Sequence, residues 1–139
     1  MIRAFLDANV ILEVLLKRRE YEAAANILKS GERHHINIYT SSSVIGFIAY
    51  WLIKEAGTKK TKDILTGLLG LIRIADISHE QLLLSLAADF KDIEDGIQYY
   101  TALQHKLDYF ITLNKGDFRK AKGEVQIAAP AEVLKILTG

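Results

Sequence analysis

The stretch FKDIEDGIQYYTALQHKLDYFITLNKGDF, residues 90–118, decides the fold. Its first half has the spacing of an amphipathic helix and opens with three acids, Asp92, Glu94 and Asp95. Its second half, DYFITL, is a short β-rich run that leads into a loop carrying Asp117. A helix that feeds a short apolar strand is half of a βαβ unit, so this stretch predicts a parallel sheet.

The rest of the chain repeats this alternation. Further short β-rich runs occur at residues 2–6, 36–39, 72–77 and 125–129, and helical patterns separate most of them. One of these helices is expected to end at Gly31, a common C-terminal stop. The pattern predicts an α/β fold, a three-layer α/β/α sandwich with a central, mainly parallel sheet of four to five strands.

Composition limits the class of protein. The chain has 139 residues, of which half are apolar, and this fits a single domain spanning residues 1–139. Its 18 basic and 17 acidic residues nearly cancel, so any polyanion site must be local. The absence of Cys excludes disulfides and thiolate metal ligands and favours a cytoplasmic location. Acids interrupt the apolar N-terminal run, which therefore predicts neither a signal peptide nor a membrane span.

Four of the acids are expected to converge on one edge of the sheet. Asp7 directly follows the first strand and Asp117 follows the fourth, and ligands of such sheets bind at the carboxyl ends of the strands. On the helix, Asp92 and Asp95 lie roughly 60° apart, whereas Glu94 lies roughly 100° beyond Asp95. We therefore expect Asp92 and Asp95 to share the site and Glu94 to lie outside it.

The apolar face of this helix is expected to hold those acids in place. Ile93, Ile97, Tyr100 and Leu107 recur on one side and are predicted to pack on the sheet. The acids could alternatively do no more than meet the positive end of the helix dipole. Asp7 argues against that alternative, because a carboxylate after a buried strand needs a cation or donors. With no His or Cys beside these acids, the ion favoured is Mg²⁺ or Mn²⁺.

Three segments together resemble the PIN-domain family, particularly its VapC-like toxin ribonucleases. They are FLDANVIL at residues 5–12, the stretch at 91–118, and VQIAAPAEVLKIL at 125–137. The resemblance implies a metal-dependent endoribonuclease that hydrolyses RNA by a metal-activated water. It also implies a small antitoxin protein as partner and a homodimer.

Matching positions carry the family's site onto this chain. The resemblance implies that four acids are catalytic and bind the metal, that three polar residues support them, and that three basic residues near Asp117 contact RNA. These are Asp7, Asp92, Asp95 and Asp117; Asn9, Thr112 and Asn114; and Lys115, Arg119 and Lys120. Asp92 resembles an extra acid found in only part of the family.

One departure from the family bears on activity. The family usually has a Glu on the helix after the second strand, at a position that matches Phe47, and no acid occurs between Thr40 and Lys54. A PIN-like module that binds RNA or protein without catalysis is therefore an alternative. A phosphoryl-transfer enzyme with Asp7 as nucleophile is a weaker one, because no Gly-rich phosphate loop follows. The same helix, with Tyr50 and Trp51, is too apolar for one buried face and predicts a partner surface.

Overall fold

The computed structural model describes residues 1–119, 121 and 123–139. Within these residues one sheet is built from five parallel strands in the order β3-β2-β1-β4-β5. The strands are β1 (Arg3–Leu6), β2 (Asn37–Thr40), β3 (Ile72–Ile74), β4 (Tyr109–Ile111) and β5 (Gln126–Ala128). The predicted α/β fold with a parallel sheet is confirmed.

Helices cover both faces of this sheet. The chain steps from β1 to β2 to β3 in one direction and then returns past β1 to reach β4. Because such crossovers are right-handed, the helices between β1 and β3 lie on one face and the two helices between β3 and β4 lie on the other, which gives the three layers. The last helix, after β5, returns to the first of these faces and packs on the helix at residues 21–32. The helices in the described residues are α1 (Ala8–Leu15), α2 (Tyr21–Glu32), α3 (Ser42–Ala56), α4 (Thr58–Leu68), α5 (His79–Ala87), α6 (Ile93–Gln104), α7 (Pro130–Thr138) and a 3₁₀ helix (Lys115–Phe118). In that part of the chain, none of them is long and apolar enough to cross a bilayer.

The central strand fixes where a ligand crevice forms. β1 is fully buried from Ala4 to Leu6, and its Phe5 ring stacks on Phe110 of β4 with centroids 5.2 Å apart. The chain leaves β1 toward β2 on one side, while β4 lies on the other side. The strand order therefore reverses between β1 and β4, and the crevice outside their carboxyl ends is the expected binding position.

The predicted end of the second helix was wrong. α2 continues through Gly31 to Glu32 instead of stopping at the glycine. A Cβ at Gly31 would lie 2.6 Å from Ile38 Cδ1, so this glycine allows the helix to approach β2 closely. The residue is used for packing and not for termination.

The predicted buried face of α6 was only partly right, because Tyr100 and Leu107 pack in the core but Ile93 does not. Ile93 is 64% exposed, and the side that packs inward is formed by Gln98, Tyr99, Thr101 and Ala102. Burial of these polar groups is possible because each is paired: Tyr99 Oη donates to the Val125 carbonyl at 3.3 Å and accepts from the Gly123 N–H at 3.0 Å. Apolar periodicity could not reveal a face made of satisfied polar side chains.

Candidate functional site

Asp7 forms the buried base of the site. It directly follows β1, and its side chain is the N-cap of α1, where Oδ1 accepts the Ala8 N–H at 2.8 Å. Its other oxygen, Oδ2, accepts the Thr112 hydroxyl at 2.8 Å. With only 9% of the residue exposed, both oxygens are held in fixed positions beside β4.

A small hydrogen-bond network holds Thr112 in place. Asn9 Nδ2 donates to Thr112 Oγ1 at 3.3 Å, and Asn9 Oδ1 accepts the Leu113 N–H at 3.2 Å. The Asn114 N–H donates to the same hydroxyl at 3.2 Å. Asn9 and Thr112 therefore lie where a supporting role requires them, whereas Asn114 contributes through its backbone.

Asp92 and Asp95 occupy the start of α6. Asp92 is the N-cap, not a residue on the helix flank as the sequence predicted, and its Oδ1 accepts the Asp95 N–H at 3.0 Å. Asp95 lies in the first turn and is half-buried. The Asp92 side chain thus fixes the backbone of the turn that carries Asp95.

Asp117 completes the set from the opposite wall. It lies in the 3₁₀ helix that follows β4, and its side chain is exposed. A cleft of about 420 Å³ separates this helix from the start of α6. It is lined by Asp89, Phe90, Lys91, Asp92, Asp95, Gly116, Asp117 and Arg119. Three of the four predicted acids therefore face one cleft.

The electrostatics connect Asp7 to these acids. The pKa of Asp7 is raised to about 6, mainly by burial, and the negative charges of Glu94 and Asp117 add to this rise. The hydrogen bonds from Thr112 and Ala8 lower the pKa but do not offset the effect of burial. Burial also raises the pKa of Asp95 to about 7, with the charges of Asp92, Asp7, Asp117 and Glu94 adding to it. These acids repel one another, so a cation at this position would be strongly favoured.

Glu94 is the acid that sequence analysis placed outside the site. The negative charge of Glu94 raises the pKa of Asp7 more than the negative charge of Asp117 does. It also raises the pKa of Asp95. That expectation was based on the angle of Glu94 to Asp92 and Asp95, and Glu94 is not among the residues that line the cleft.

The donor set fits a hard divalent cation in its chemistry. The acids and the Thr112 hydroxyl offer only oxygen, which Mg²⁺ and Mn²⁺ prefer. Among the described residues, however, no group of three or more His, Cys, Asp or Glu side chains is arranged to hold a metal ion.

The predicted basic residues differ in their surroundings. Lys115 Nζ forms an exposed ion pair with Glu132 Oε1 at 2.8 Å, and so contacts the start of α7. Arg119 lines the cleft, and its Nη2 would lie 3.4 Å from a Cβ added at Gly116. Lys120 lies outside the described residues. Lys91, which the sequence analysis did not select, also lines the cleft.

The position matched to the acid missing from this chain, Phe47, lies one turn after the start of α3. Ser41 caps this helix, and its hydroxyl donates to Gln98 Oε1 of α6 at 2.7 Å. Gln98 Nε2 in turn donates to Ser43 Oγ at 2.8 Å. One turn further, Phe47 is 39% exposed and meets Trp51 edge to face.

Comparisons with known proteins agree with this fold. A family model described as "PIN domain" matches residues 3–116, while no curated protein sequence matches the chain. Among solved structures, VapBC2 from Rickettsia felis bound to a DNA fragment from their promoter matches with a TM-score of 0.72 at 15% identity, covering 92% of this chain and 98% of that one. FitAcB from Neisseria gonorrhoeae matches with a TM-score of 0.63 at 23% identity and the same coverage.

Proposed function

The chain belongs to the PIN-domain family, and on this premise we propose that it is a metal-dependent endoribonuclease, the toxin component of a toxin–antitoxin pair. The proposal takes residues 1–139 as one PIN-like domain that acts in the cytoplasm. The observation that carries it is the buried Asp7 at the β1–β4 reversal, electrostatically coupled to Asp95 and Asp117. The reaction is hydrolysis of an RNA phosphodiester bond.

The proposed cofactor is Mg²⁺ or Mn²⁺, held by Asp7, Asp95 and Asp117 with Asp92 at the edge of the cleft. When bound, the ion lowers the pKa of a water molecule and neutralises charge on the phosphate. Asp95, with a pKa of about 7, holds a proton in part of the metal-free molecules at neutral pH and releases it as the cation binds.

The other residues position this group. Thr112 donates to Asp7 Oδ2 and fixes the carboxylate, while Asn9 and the Asn114 backbone fix Thr112. Arg119 lines the cleft, where its guanidinium can meet an RNA phosphate. We also propose Lys115 and Lys120 as RNA contacts. Lys115 forms an ion pair with Glu132, which RNA would have to replace.

The partner surface we propose is the exposed aromatic side of α3. Phe47, Tyr50 and Trp51 are 39%, 58% and 39% exposed, and Ile53 extends the surface. Exposed apolar patches on folded proteins commonly bind other proteins. An antitoxin segment or a second copy of the chain, as in a homodimer, would cover it.

A second candidate is a PIN-like module that binds RNA or protein without cleaving. The observations that favour it are the missing acid on α3 and, among the described residues, the absence of a ready three-residue metal group. The two candidates differ in whether metal binding leads to cleavage.

The test measures Mn²⁺ binding by calorimetry and cleavage of a mixed RNA pool on the same samples. Asp7→Asn is compared with Asp108→Asn, a matched change at the amino end of β4, where exposed Asp108 accepts the Arg3 N–H at 2.8 Å. We expect Asp7→Asn to abolish both binding and cleavage and Asp108→Asn to change neither. Binding without cleavage would favour the module, and no binding by the wild-type protein would refute a cation site.

A further inference from the structure

We infer that the aromatic cavity beside the acidic cleft binds one unpaired base of an RNA whose phosphate lies in the cleft. The cavity has a volume of about 410 Å³. Among the described residues, its walls are the loop of residues 88–90, Tyr99, Tyr100 and Leu103 of α6, and Gly123. The inference rests on the part of the proposed function that makes RNA the ligand.

The cavity and the cleft are neighbours along one side of α6. Asp89 and Phe90 line both of them, so the end of the loop before α6 forms a shared wall. Asp95 lines the cleft, while Tyr99 and Leu103, one and two turns later, line the cavity. Residues four apart share a helix face, and four residues advance the helix by about 6 Å. A base is joined to its phosphate through one sugar, so a single nucleotide can reach both spaces.

The aromatic walls are held in fixed positions by their neighbours. The Phe90 ring packs on Tyr99 with centroids 5.8 Å apart and meets Phe118 edge to face at 6.1 Å. Tyr99 meets Tyr100 edge to face at 6.3 Å, and its hydroxyl accepts the Gly123 N–H at 3.0 Å. Rings that are already ordered lose little freedom when a ligand binds, which favours stacking of a base on them.

The chemistry of the two spaces matches the two parts of a nucleotide. Phe90 and Tyr100 are half-buried, so part of each residue is accessible to a ligand, and bases bind to aromatic side chains by stacking. Exposed Lys91 and Arg119 line the cleft, where they can meet the phosphate. The volume of the cavity lies in the range of roughly 300–1,000 Å³ that small-ligand pockets have. Because paired bases are stacked within a duplex, the RNA that fits is single-stranded.

The test fills the cavity without changing the acids. Ala88 lines the cavity, whereas the neighbouring Ala87 is exposed and does not line it. Ala88→Trp places an indole ring in the space for the base, and Ala87→Trp is the matched control because the change is identical. The affinity for a short single-stranded RNA of mixed sequence is measured in EDTA, so that neither metal binding nor cleavage contributes. We expect Ala88→Trp to bind on the order of tenfold more weakly than the wild-type protein, the loss expected when one base no longer stacks, and Ala87→Trp to bind as the wild-type protein does.

A second pair of variants removes a wall instead of filling the space. Tyr100→Ala deletes an aromatic ring and should weaken RNA binding, whereas Tyr100→Phe keeps the ring and should restore it. RNAs that carry an abasic nucleotide at each position in turn then identify the bound base. At that position the wild-type protein should lose affinity for the abasic RNA, while Tyr100→Ala should lose no more. Thermal unfolding of each variant shows that a loss of binding does not come from loss of the fold.

The outcomes separate this inference from the proposed function. If Ala88→Trp binds RNA as well as Ala87→Trp does and Tyr100→Ala binds as well as Tyr100→Phe, the inference is overturned, and the metal site tested with Asp7→Asn still stands. The cavity would then suit an apolar side chain of a protein partner. If RNA binding depends on the cavity but the wild-type protein binds no Mn²⁺, the inference stands and the nuclease proposal fails. Absence of RNA binding by the wild-type protein overturns the inference.

Discussion

The first turns of α3 and α6 meet at the carboxyl edge of the sheet but differ in chemistry. At α3, every serine of the first turn is paired: Ser41 and Ser43 with Gln98, and Ser42 with Asp76 at 2.9 Å. At α6, the acids Glu94 and Asp95 add negative charge to a position where Asp7 is already buried. The polar groups at the start of α3 are hydrogen-bonded within the protein, whereas the negative charge at the start of α6 can be neutralised by an external cation.

The difference shows how the site can keep its negative charge although α3 lacks the usual acid. α3 lacks the usual acid, yet its serines still hold α6 through Gln98. α3 therefore orients the helix that carries the charge instead of supplying charge itself.

The largest expected effect is the difference between a substitution at the start of α6 and one at the start of α3. In Asp95→Asn the site loses a proposed metal ligand, and RNA cleavage is expected to fall about 100-fold or more, because metal catalysis is worth several kcal/mol. Ser43→Ala removes one hydrogen bond to Gln98 and should cost about 1 kcal/mol of stability. Rates of RNA cleavage by both variants at saturating Mn²⁺ check this, and an equal loss in Ser43→Ala would remove the distinction between the helices.

The second prediction concerns pH and the metal-free protein. The pKa values of Asp7 and Asp95 in the folded state, about 6 and about 7, exceed the ordinary value of 3.8. The folded state then binds more protons than the unfolded state, so these groups lower stability as pH rises from about 4 to about 7. For Asp7 alone the loss is roughly 2–3 kcal/mol.

Denaturant unfolding in EDTA at pH 4 and pH 8 measures this loss. Asp7→Asn should show a smaller decrease than the wild-type protein. Asp76→Asn, after β3, where the side chain accepts the Ser42 N–H, should keep the wild-type decrease. Identical pH dependence in the wild-type protein and Asp7→Asn would contradict the raised pKa of Asp7.

The third prediction tests the support behind Asp7. Thr112→Val removes the hydroxyl that donates to Asp7 Oδ2, and since that bond lowers the pKa of Asp7, the pKa should rise further. Mn²⁺ affinity is expected to fall about tenfold, and the pH profile of cleavage should move to higher pH. Thr112→Ser keeps the donor and should restore both; failure of that rescue would assign Thr112 a packing role only.

The smallest expected effect is on RNA binding. Arg119 lines the cleft, whereas Lys115 is paired with Glu132. Arg119→Ala should weaken RNA binding a few-fold and reduce the salt slope by about 1, while Lys115→Ala changes less. Binding titrations at several salt concentrations measure the slope, and a larger effect at Lys115 would reverse this ranking.

Much of the fold could be predicted from the sequence because its signals are local. The β-rich runs, the helical spacing and Pro130 at the start of α7 are properties of short segments, and all five strands appear where those segments are. The same holds for Asp7 and Asp117, whose positions follow from the ends of strands.

The rest depends on contacts between distant segments. The orientation of α6 is set by Gln98 bonding to Ser41 and Ser43, and by Tyr99 bonding to residues 123 and 125. Apolar periodicity instead selected Ile93, which is exposed. The pairing of Lys115 with Glu132 is likewise invisible before the chain is folded.

The central claim is that a divalent cation binds among the acids at the carboxyl ends of β1 and β4. An anomalous difference map from crystals soaked in Mn²⁺ tests it most directly. We predict a peak between Asp7, Asp95 and Asp117, and no such peak in Asp7→Asn. A map at saturating Mn²⁺ with no peak among these residues, or with peaks only at other acids, would contradict the claim.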